Sequence, residues 1–331
     1  MNIDVVIGNP PYQEIKGGGL NDSGGKPLFD KFIKTGLEIA DIVCMITPTK
    51  WISGEQAEFI SIRRDLTIGN HLRSMVDYFN PVYVFPGTQI AGGVSYFLYD
   101  KSYSGEVEFT SKTYVTESDS ITNMRLLTTN GIIPRHAVAE KIIKNLENNT
   151  RLSSCIHKDL WKLTTSYRGK NVKTNTDDLS VITPSGISYI SKSDVTNDLV
   201  NEYKVLLSRV VNGSTYLKDG AKKLLSTVKV LKPYEICNNS YMVMGGFGTE
   251  LEAINAAKYI KTKFARFLLL QALFGIGLTS DRFKFVPLQN FTSVSDIDWS
   301  QSISDIDQQL YRKYNLTEKE INFIESIIAP M

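Results

Sequence analysis

The chain has 331 residues, of which 42% are hydrophobic and 22% are charged, and its formal net charge is +2. This composition is ordinary for a globular protein that is long enough to hold two domains and a substantial core. No apolar run reaches transmembrane length, and the first residues lack the basic and hydrophobic regions of a signal peptide, so we expect neither a membrane protein nor an exported one.

The first forty residues predict a strand, a loop and a helix. Ile3–Ile7 is an apolar, β-branched run, which indicates a fully buried strand in the middle of a parallel sheet. Residues 16–26 follow, with too much glycine for regular structure. Pro27 is expected to open a helix. The apolar positions at helical spacing are Leu28, Phe32, Gly36 and Ile39.

Four more strands and one helix are predicted up to residue 112. The strands are residues 41–48, 72–79, 92–101 and 107–110, and the helix spans residues 55–66. Strand–helix–strand order at this spacing predicts an α/β sheet with right-handed crossovers.

The pattern changes beyond about residue 130. Residues 135–146 predict a helix, and residues 151–245 mix short strands with turn signals at 183–186 and 212–214. Two capping patterns then predict where helices begin. A Thr followed three residues later by Glu can satisfy the free N–H groups at the start of a helix. Thr249 and Glu252 precede a long helix predicted through Phe274. Two C-terminal helices are predicted at 303–314 and 318–328, the second capped by Thr317 and Glu320.

The basic charge is confined to the middle of the chain. Residues 151–232 carry 14 Lys and Arg against 7 Asp and Glu, whereas the segments before and after are slightly acidic. Aromatic residues such as Trp161 and Tyr167 are interspersed, a combination that suits a polyanion. The residues expected to bind DNA are Lys162, Arg168, Lys170, Lys222, Lys223 and Lys229. On charge alone, a solvated basic face without a ligand stays an alternative.

Asn9-Pro10-Pro11-Tyr12 directly follows the first strand, at the carboxyl edge where α/β sheets bind ligands. The Asn9 side-chain oxygen and the Pro10 carbonyl can accept the two hydrogens of an adenine amino group and so free the nitrogen lone pair. The two prolines fix the direction of that carbonyl before the substrate arrives, which is electrostatic preorganisation. Tyr12 offers a flat face for a base that has left the duplex. A rigid turn with a packed tyrosine is the alternative.

The chain resembles adenine-N6-specific DNA methyltransferases of the TaqI-like, type IIG restriction–modification kind. The matching stretches are residues 4–12, 40–54, 76–100 and the C-terminal stretch from Phe291. The resemblance implies that Asn9, Pro10 and Tyr12 are catalytic, and that Phe85 packs on the flipped base, although Phe85 alone would be a core residue. It implies methyl transfer from S-adenosylmethionine to N6 of adenine in double-stranded DNA.

In that family the S-adenosylmethionine pocket precedes the Asn-Pro-Pro-Tyr motif, which begins here at residue 9. We therefore expect this chain to be the second half of the methyltransferase, with the cofactor-binding half lost or carried by a second chain. A permuted loop at residues 242–257 is a weaker candidate, since a glycine-rich strand-to-helix turn is weak evidence. Residues 16–27 are instead expected to form a mobile loop over the active site.

The predicted fold class is α/β, the second half of a Rossmann-like methyltransferase sheet followed by a mixed α+β target-recognition domain with C-terminal helices. The predicted domains are residues 1–130 (catalytic), 131–290 (DNA recognition) and 291–331 (helical). A non-catalytic DNA-specificity subunit is the main alternative, and a methyltransferase for glutamine or RNA is a third hypothesis.

The cysteines and histidines predict no metal site. Cys44, Cys155 and Cys237 are far apart and odd in number, which favours a reducing cytoplasm over a disulfide or zinc framework. The histidines, His71, His136 and His157, have no ligand spacing.

Overall fold

The computed structural model describes residues 3–14, 26–88, 90, 92–112, 120–127, 131–146, 148–211, 222–273 and 277–331. The chain divides into two compact units. The first is formed by residues 1–141 with 273–275, and the second by residues 142–272 with 276–331. The glycine-rich loop expected at residues 16–27, apart from Lys26 and Pro27, and the turn at 212–214 lie outside the described residues. No described helix has the length and apolar character that crossing a bilayer requires.

The first unit is a six-stranded mixed sheet with helices, which confirms the predicted α/β class. Its strands are β1 (Ile3–Gly8), β2 (Ala40–Pro48), β3 (Leu72–Tyr78), β4 (Val94–Asp100), β5 (Val107–Lys112) and β6 (Ser120–Arg125). Its helices are α1 (Phe29–Ile39) and α2 (Ala57–Thr67), and α3 (Ala137–Asn145) spans the point of division. The strand order is β1-β2-β4-β3-β5-β6.

Strand direction decides which loops meet. β1 runs parallel to β2, β4 is antiparallel to both β2 and β3, and β3 runs parallel to β5. β1, β2, β3 and β5 therefore all point the same way, and the segments that follow them leave from one edge of the sheet. We call this edge the carboxyl edge.

The prediction that the first strand is fully buried is wrong for the described sheet. β1 is an edge strand, and the side chains of Val5 and Ile7 are 45% and 79% exposed. Its apolar, β-branched sequence favours a strand, but burial depends on neighbours that the local pattern does not specify.

The prediction that Pro27 opens a helix is also wrong, because α1 begins at Phe29 and Pro27 forms a β-bridge with Gln13. The buried face of α1 includes Phe29, Ile33 and Gly36, while Phe32 is exposed. A Cβ at Gly36 would lie 2.9 Å from the Met45 side chain, so glycine permits the close approach of α1 to β2. The predicted helix is therefore present, but its buried face contains Phe29 and Ile33 in place of the predicted Phe32.

The described residues of the second unit form two sheets and, after α3, four helices. Its strands are β7 (Ile156–His157), β8 (Leu179–Thr183), β9 (Gly186–Ile190), β10 (Tyr203–Ser208), β11 (Val228–Leu231), β12 (Glu235–Cys237) and β13 (Tyr241–Phe247). One sheet has the order β11-β10-β13-β7 and the other β12-β8-β9. Both contribute to one core, with Val181 from one sheet and Leu206 and Val243 from the other.

The helices of the second unit are α4 (Glu250–Lys261), α5 (Lys263–Gln271), α6 (Ile303–Lys313) and α7 (Glu318–Ile327). The predicted single helix through Phe274 is wrong, because Thr262 adopts an extended conformation between α4 and α5 and its side chain caps α5 at Ala265. Phe274 itself lies outside the described residues. The predicted capping box at Thr317 and Glu320 is confirmed.

Candidate active-site edge

The segment Asn9–Tyr12 leaves β1 at the carboxyl edge, beside β2. Gly8 pairs with Met45 in the parallel ladder, so the motif begins where β2 still has three residues to run. Pro10 is buried while Asn9 is exposed. The Asn9 side chain makes no hydrogen bond with the part of the chain that the structure describes, so its amide oxygen is available to a substrate.

Backbone contacts anchor the far end of this segment. The Tyr12 carbonyl accepts a hydrogen bond from the Leu28 N–H at 3.2 Å, and the Glu14 N–H donates to Lys26 at 3.0 Å. These bonds tie the motif to the start of α1. Tyr12 is thereby fixed between a sheet strand and a helix, which limits its movement relative to Asn9.

Tyr12 and Phe85 form an aromatic pair at the carboxyl edge. Their ring centroids lie 6.5 Å apart with an interplanar angle of 70°, an edge-to-face arrangement. Phe85 follows a 3₁₀ turn, Pro81–Tyr83, and its N–H donates to the Pro81 carbonyl at 2.8 Å. The structure therefore brings together the two rings that the family resemblance assigned to one base pocket, although they are far apart in the chain.

The Tyr12 hydroxyl is buried and finds no hydrogen-bond partner among the described residues. Burial raises the pKa of Tyr12 to about 12, so the phenol is neutral at physiological pH. A neutral phenol without a partner has no base or ion-pair function. The group that Tyr12 can offer a ligand at this edge is therefore its aromatic ring.

A buried ion pair holds the loops of the carboxyl edge together. Arg135 donates to both carboxylate oxygens of Asp77, Nε to Oδ2 at 2.7 Å and Nη2 to Oδ1 at 2.6 Å. The Thr49 hydroxyl donates to the same Asp77 Oδ1 at 2.9 Å. The Arg135 guanidinium also lies 3.8 Å over the Phe79 ring. Asp77 thus joins the end of β3 to the segment after β2 and to the approach to α3.

Gly93 permits this close packing. It has a φ of +88°, a conformation that favours glycine, and it directly precedes β4. A Cβ there would lie 2.3 Å from the Tyr78 carbonyl oxygen and 2.8 Å from Arg135 Nη2. The Gly93 carbonyl accepts from the Thr49 N–H at 3.1 Å. Sequence reasoning did not single out Thr49, Asp77, Gly93 or Arg135, since no local pattern marks such a junction.

Three of the six cations predicted to bind DNA lie before β8, namely Lys162, Arg168 and Lys170. All three are exposed. Lys170 pairs with Tyr189 of β9 through two backbone hydrogen bonds of 2.9 Å, and its Nζ donates to Thr174 at 2.9 Å. Lys170 therefore borders the three-stranded sheet.

The other three, Lys222, Lys223 and Lys229, lie elsewhere in the second unit. Lys229 is exposed on β11, opposite Leu206, at the edge of the four-stranded sheet. Lys222 exchanges backbone hydrogen bonds with Ile327 and Ala329, at 2.8 and 3.1 Å. Lys170 and Lys229 therefore lie at different sheets, and Lys222 lies beside the end of α7.

Two further lysines stand beside aromatic rings. The Lys192 Nζ lies 4.7 Å from the ring centre of Tyr234, which is 44% exposed, and the Lys173 Nζ lies 5.9 Å from that of Tyr189. The basic and aromatic composition of residues 151–232 was the available signal, but it did not select these pairs.

The glycine-rich turn at residues 242–257 does not fit a cofactor loop. Gly245 has a φ of +93°, and a Cβ there would lie 2.2 Å from the Phe247 ring. A Cβ at Gly246 would lie 2.5 Å from the Leu199 side chain. The space that these glycines leave is filled by the protein's own side chains, so this turn offers no cradle for S-adenosylmethionine.

Comparison with known proteins identifies the first segment. Residues 1–85 match the family model of the Eco57I restriction-modification methylase, a range that contains Asn9, Tyr12 and Phe85. An uncharacterized adenine-specific methylase of Mycoplasma pneumoniae is 32% identical over 125 residues, which is 36% of this chain and 30% of the relative. The resemblance to restriction–modification adenine methylases is thus confirmed for the matched part of the chain.

Solved structures of restriction–modification enzymes align over most of the chain. The type IIG restriction endonuclease BpuSI aligns over 98% of this chain and 53% of its own, with 12% identity and a TM-score of 0.40. The type IIL enzyme MmeI in complex with DNA aligns over 99% of this chain and 55% of its own, with 8% identity and a TM-score of 0.39. The chain spans about half the length of these enzymes.

Proposed function

We propose that this chain holds the target adenine and binds the duplex in an adenine-N6-specific DNA methyltransferase of a restriction–modification system. The family match over residues 1–85 and the adenine-specific methylase relative support this proposal. In the proposed division, residues 1–130 act on the base, residues 131–290 recognise DNA, and residues 291–331 form a helical segment; these boundaries stay predictions.

One observation carries the proposal, which is the contact between the Tyr12 and Phe85 rings at the carboxyl edge, with Tyr12 three positions after Asn9 in the chain. An amide with no hydrogen-bond partner among the described residues and two rings 6.5 Å apart are groups that suit a flat base with an exocyclic amino group. Extrusion of a base from the duplex costs a few kcal/mol, and stacking on an aromatic ring returns about 1–3 kcal/mol. The aromatic pair can therefore offset much of the cost of flipping.

Asn9 and Pro10 would act on the adenine amino group. Its nitrogen is a poor nucleophile, because the lone pair is conjugated into the ring. The Asn9 Oδ1 and the Pro10 carbonyl would each accept one amino hydrogen, which favours tetrahedral geometry at nitrogen and frees the lone pair for attack. The two prolines fix the direction of the Pro10 carbonyl before the base arrives, so this acceptor needs no reorganisation during the reaction.

S-adenosylmethionine would supply the methyl group, as the methylase family implies. The turn at residues 242–257 is filled by Phe247 and Leu199, so no step is assigned to the cofactor through that turn. We propose that a further protein segment or a second chain holds the cofactor and pairs with β1. The edge position of β1 and the exposed side chains of Val5 and Ile7 support such a partner, since an edge strand offers backbone groups for pairing and exposed apolar side chains favour burial.

The second unit would bind double-stranded DNA. Its cations Lys162, Arg168, Lys170, Lys222, Lys223 and Lys229 would contact phosphates, which position the duplex and carry no sequence information. Lys192 beside the exposed Tyr234 adds a cation and a ring on this unit. Affinity would therefore depend strongly on salt.

The proposal can be tested by expression of the chain with its genomic neighbours in a bacterial host that lacks adenine methylation. Sequencing of the host DNA should reveal N6-methyladenine in one fixed sequence context. The Asn9→Ala variant should lower the rate of methyl transfer about 10²–10³-fold, because it removes one preorganised acceptor. DNA affinity should be nearly unchanged in this variant.

Two outcomes would contradict the proposal. An absence of adenine methylation with the neighbouring genes present would exclude methyl transfer by this system. Normal methylation by Asn9→Ala would show that the motif is a structural turn and would favour the alternative, a non-catalytic specificity subunit.

A further inference from the structure

The turn after β2 is buried except at one residue, which is a lysine. Residues 49–54 are all buried apart from Lys50, with Trp51 and Ile52 fully inaccessible to solvent. In this turn, therefore, only the Lys50 side chain is partly exposed to solvent. That side chain is a cation.

Hydrogen bonds from three distant elements fix this turn. The Thr49 hydroxyl donates to Asp77 at 2.9 Å, and the Ile133 N–H donates to the Ile52 carbonyl at 2.8 Å. Arg63 of α2, itself buried, donates to the Trp51 and Gly54 carbonyls at 2.6 and 3.0 Å. The backbone of Lys50 is consequently held on both sides, so that the root of its side chain has a defined position on the carboxyl edge.

The ammonium group of Lys50 lacks an anionic partner in the described chain. No described carboxylate lies within ion-pair distance of its Nζ, whereas Lys31 contacts Glu14 and Lys101 contacts Asp41 on the same unit. Partial burial lowers the pKa of Lys50 by desolvation, a cost that an anion at this place would offset. An incoming anion could form an ion pair with this half-buried ammonium group.

The position of Lys50 just after β2 indicates which anion its ammonium group would bind. β1 and β2 are adjacent and parallel, so Asn9 and Lys50 leave neighbouring strands at the same edge. A nucleotide whose base lies at Asn9 and Tyr12 carries phosphates on both sides of its sugar. We infer that the Lys50 ammonium binds a DNA phosphate that flanks the adenine held at Asn9 and Tyr12, and that it positions this nucleotide. The inference rests on the proposed function.

The experiment measures the binding of the full chain to a short duplex with one unpaired adenine opposite an abasic site. Its comparison probes have a neutral methylphosphonate in place of the phosphate on the 5′ or the 3′ side of that adenine. The variants are Lys50→Met, which removes the charge and keeps much of the stem, and Lys50→Arg, which keeps the charge. Lys101→Met is the matched control, since Lys101 follows β4 at the opposite edge of the same sheet.

Lys50→Met should lower the affinity for the unmodified probe about tenfold, the effect typical of one lost charged hydrogen bond. Its salt slope should fall by about 0.9, the value for one phosphate contact. On one of the two methylphosphonate probes, wild type and Lys50→Met should bind alike. Lys50→Arg should restore most of the affinity, and Lys101→Met should bind like wild type on every probe.

The outcomes separate this inference from the proposed function. If wild type does not prefer the unpaired adenine, or if Tyr12→Ala keeps the preference, the proposed function fails and the inference fails with it. If the preference depends on Tyr12 but Lys50→Met binds like wild type, only the Lys50 inference is overturned. An equal loss for Lys50→Met on all three probes would likewise overturn it, because the loss would not pass through a flanking phosphate.

Discussion

Asp77 and Arg135 form a two-point ion pair inside the first unit, with both N···O distances below 2.8 Å and both side chains buried. Asp77 ends the buried part of β3, and Arg135 precedes α3, so the pair joins two parts of the chain that are 58 positions apart. Thr49 donates to the same carboxylate, which links the pair to the turn that carries Lys50. This buried ion pair therefore joins and stabilises the segments that follow β2 and β3 at the carboxyl edge.

Asp77→Ala should lower the free energy of unfolding by about 3–5 kcal/mol, because it leaves the buried Arg135 guanidinium without its counter-ion. Chemical denaturation of the full chain measures this loss. Asp41→Ala is the control, since Asp41 pairs with Lys101 at 3.6 Å, both side chains are exposed, and such surface pairs contribute about 0–1 kcal/mol. Comparable losses in the two variants would contradict the importance assigned to the buried pair.

Tyr12→Ala should weaken binding of a duplex with an unpaired adenine by about 1–3 kcal/mol, the usual contribution of one stacked base. Tyr12→Phe should bind like wild type, because the hydroxyl has no partner among the described residues and the ring is kept. Fluorescence anisotropy gives both affinities. Tyr103→Ala serves as control, as Tyr103 follows β4 at the opposite edge of the sheet. A large loss in Tyr12→Phe would show that the hydroxyl has a function.

Replacement of Lys222, Lys223 and Lys229 by Gln should make DNA binding less sensitive to salt. Each lysine that contacts a phosphate should reduce the slope of log affinity against log salt by about 0.9. Titrations at several KCl concentrations measure the slope, with Lys319→Gln on α7 as the control. An unchanged slope in the triple variant would show that these lysines form only a solvated face.

Asp307→Asn should change how stability depends on pH. Burial raises the pKa of Asp307 to about 6, above an unfolded value near 3.9, although its carboxylate accepts N–H bonds from Lys263 and Phe264 at the start of α5. The folded state thus keeps a proton that the unfolded state releases. The stabilisation from protonation is present below about pH 4 and is lost as pH rises through 6.

The wild type should therefore lose up to about 3 kcal/mol of stability relative to Asp307→Asn between pH 4 and pH 7. Urea unfolding of both proteins at each pH measures the difference. Parallel stability curves for the two proteins would show that the carboxyl of Asp307 is not protonated in the folded state at pH 5.

Local sequence pattern was sufficient for most elements of secondary structure. The alternation of apolar runs with helical periodicity predicted β1 to β5 and α2, and the Thr317–Glu320 pair predicted the start of α7. The position of Asn9–Tyr12 at a strand end was also readable, because the strand and the motif are contiguous. These features depend on residues within a few positions of one another, where period and capping chemistry act.

Tertiary structure alone decided the features that depend on distant neighbours. Ile7 has the sequence of a buried strand and lies 79% exposed, since exposure depends on which strands flank it. The Tyr12–Phe85 contact and the Asp77–Arg135 pair each join residues that no local spacing relates. That Lys50 has no ion-pair partner among the described residues depends on which side chains pack around the turn at residues 49–54. Side-chain partners across a fold are fixed by the packing of whole elements, so the sequence predicted the parts of this site and the fold brought them together.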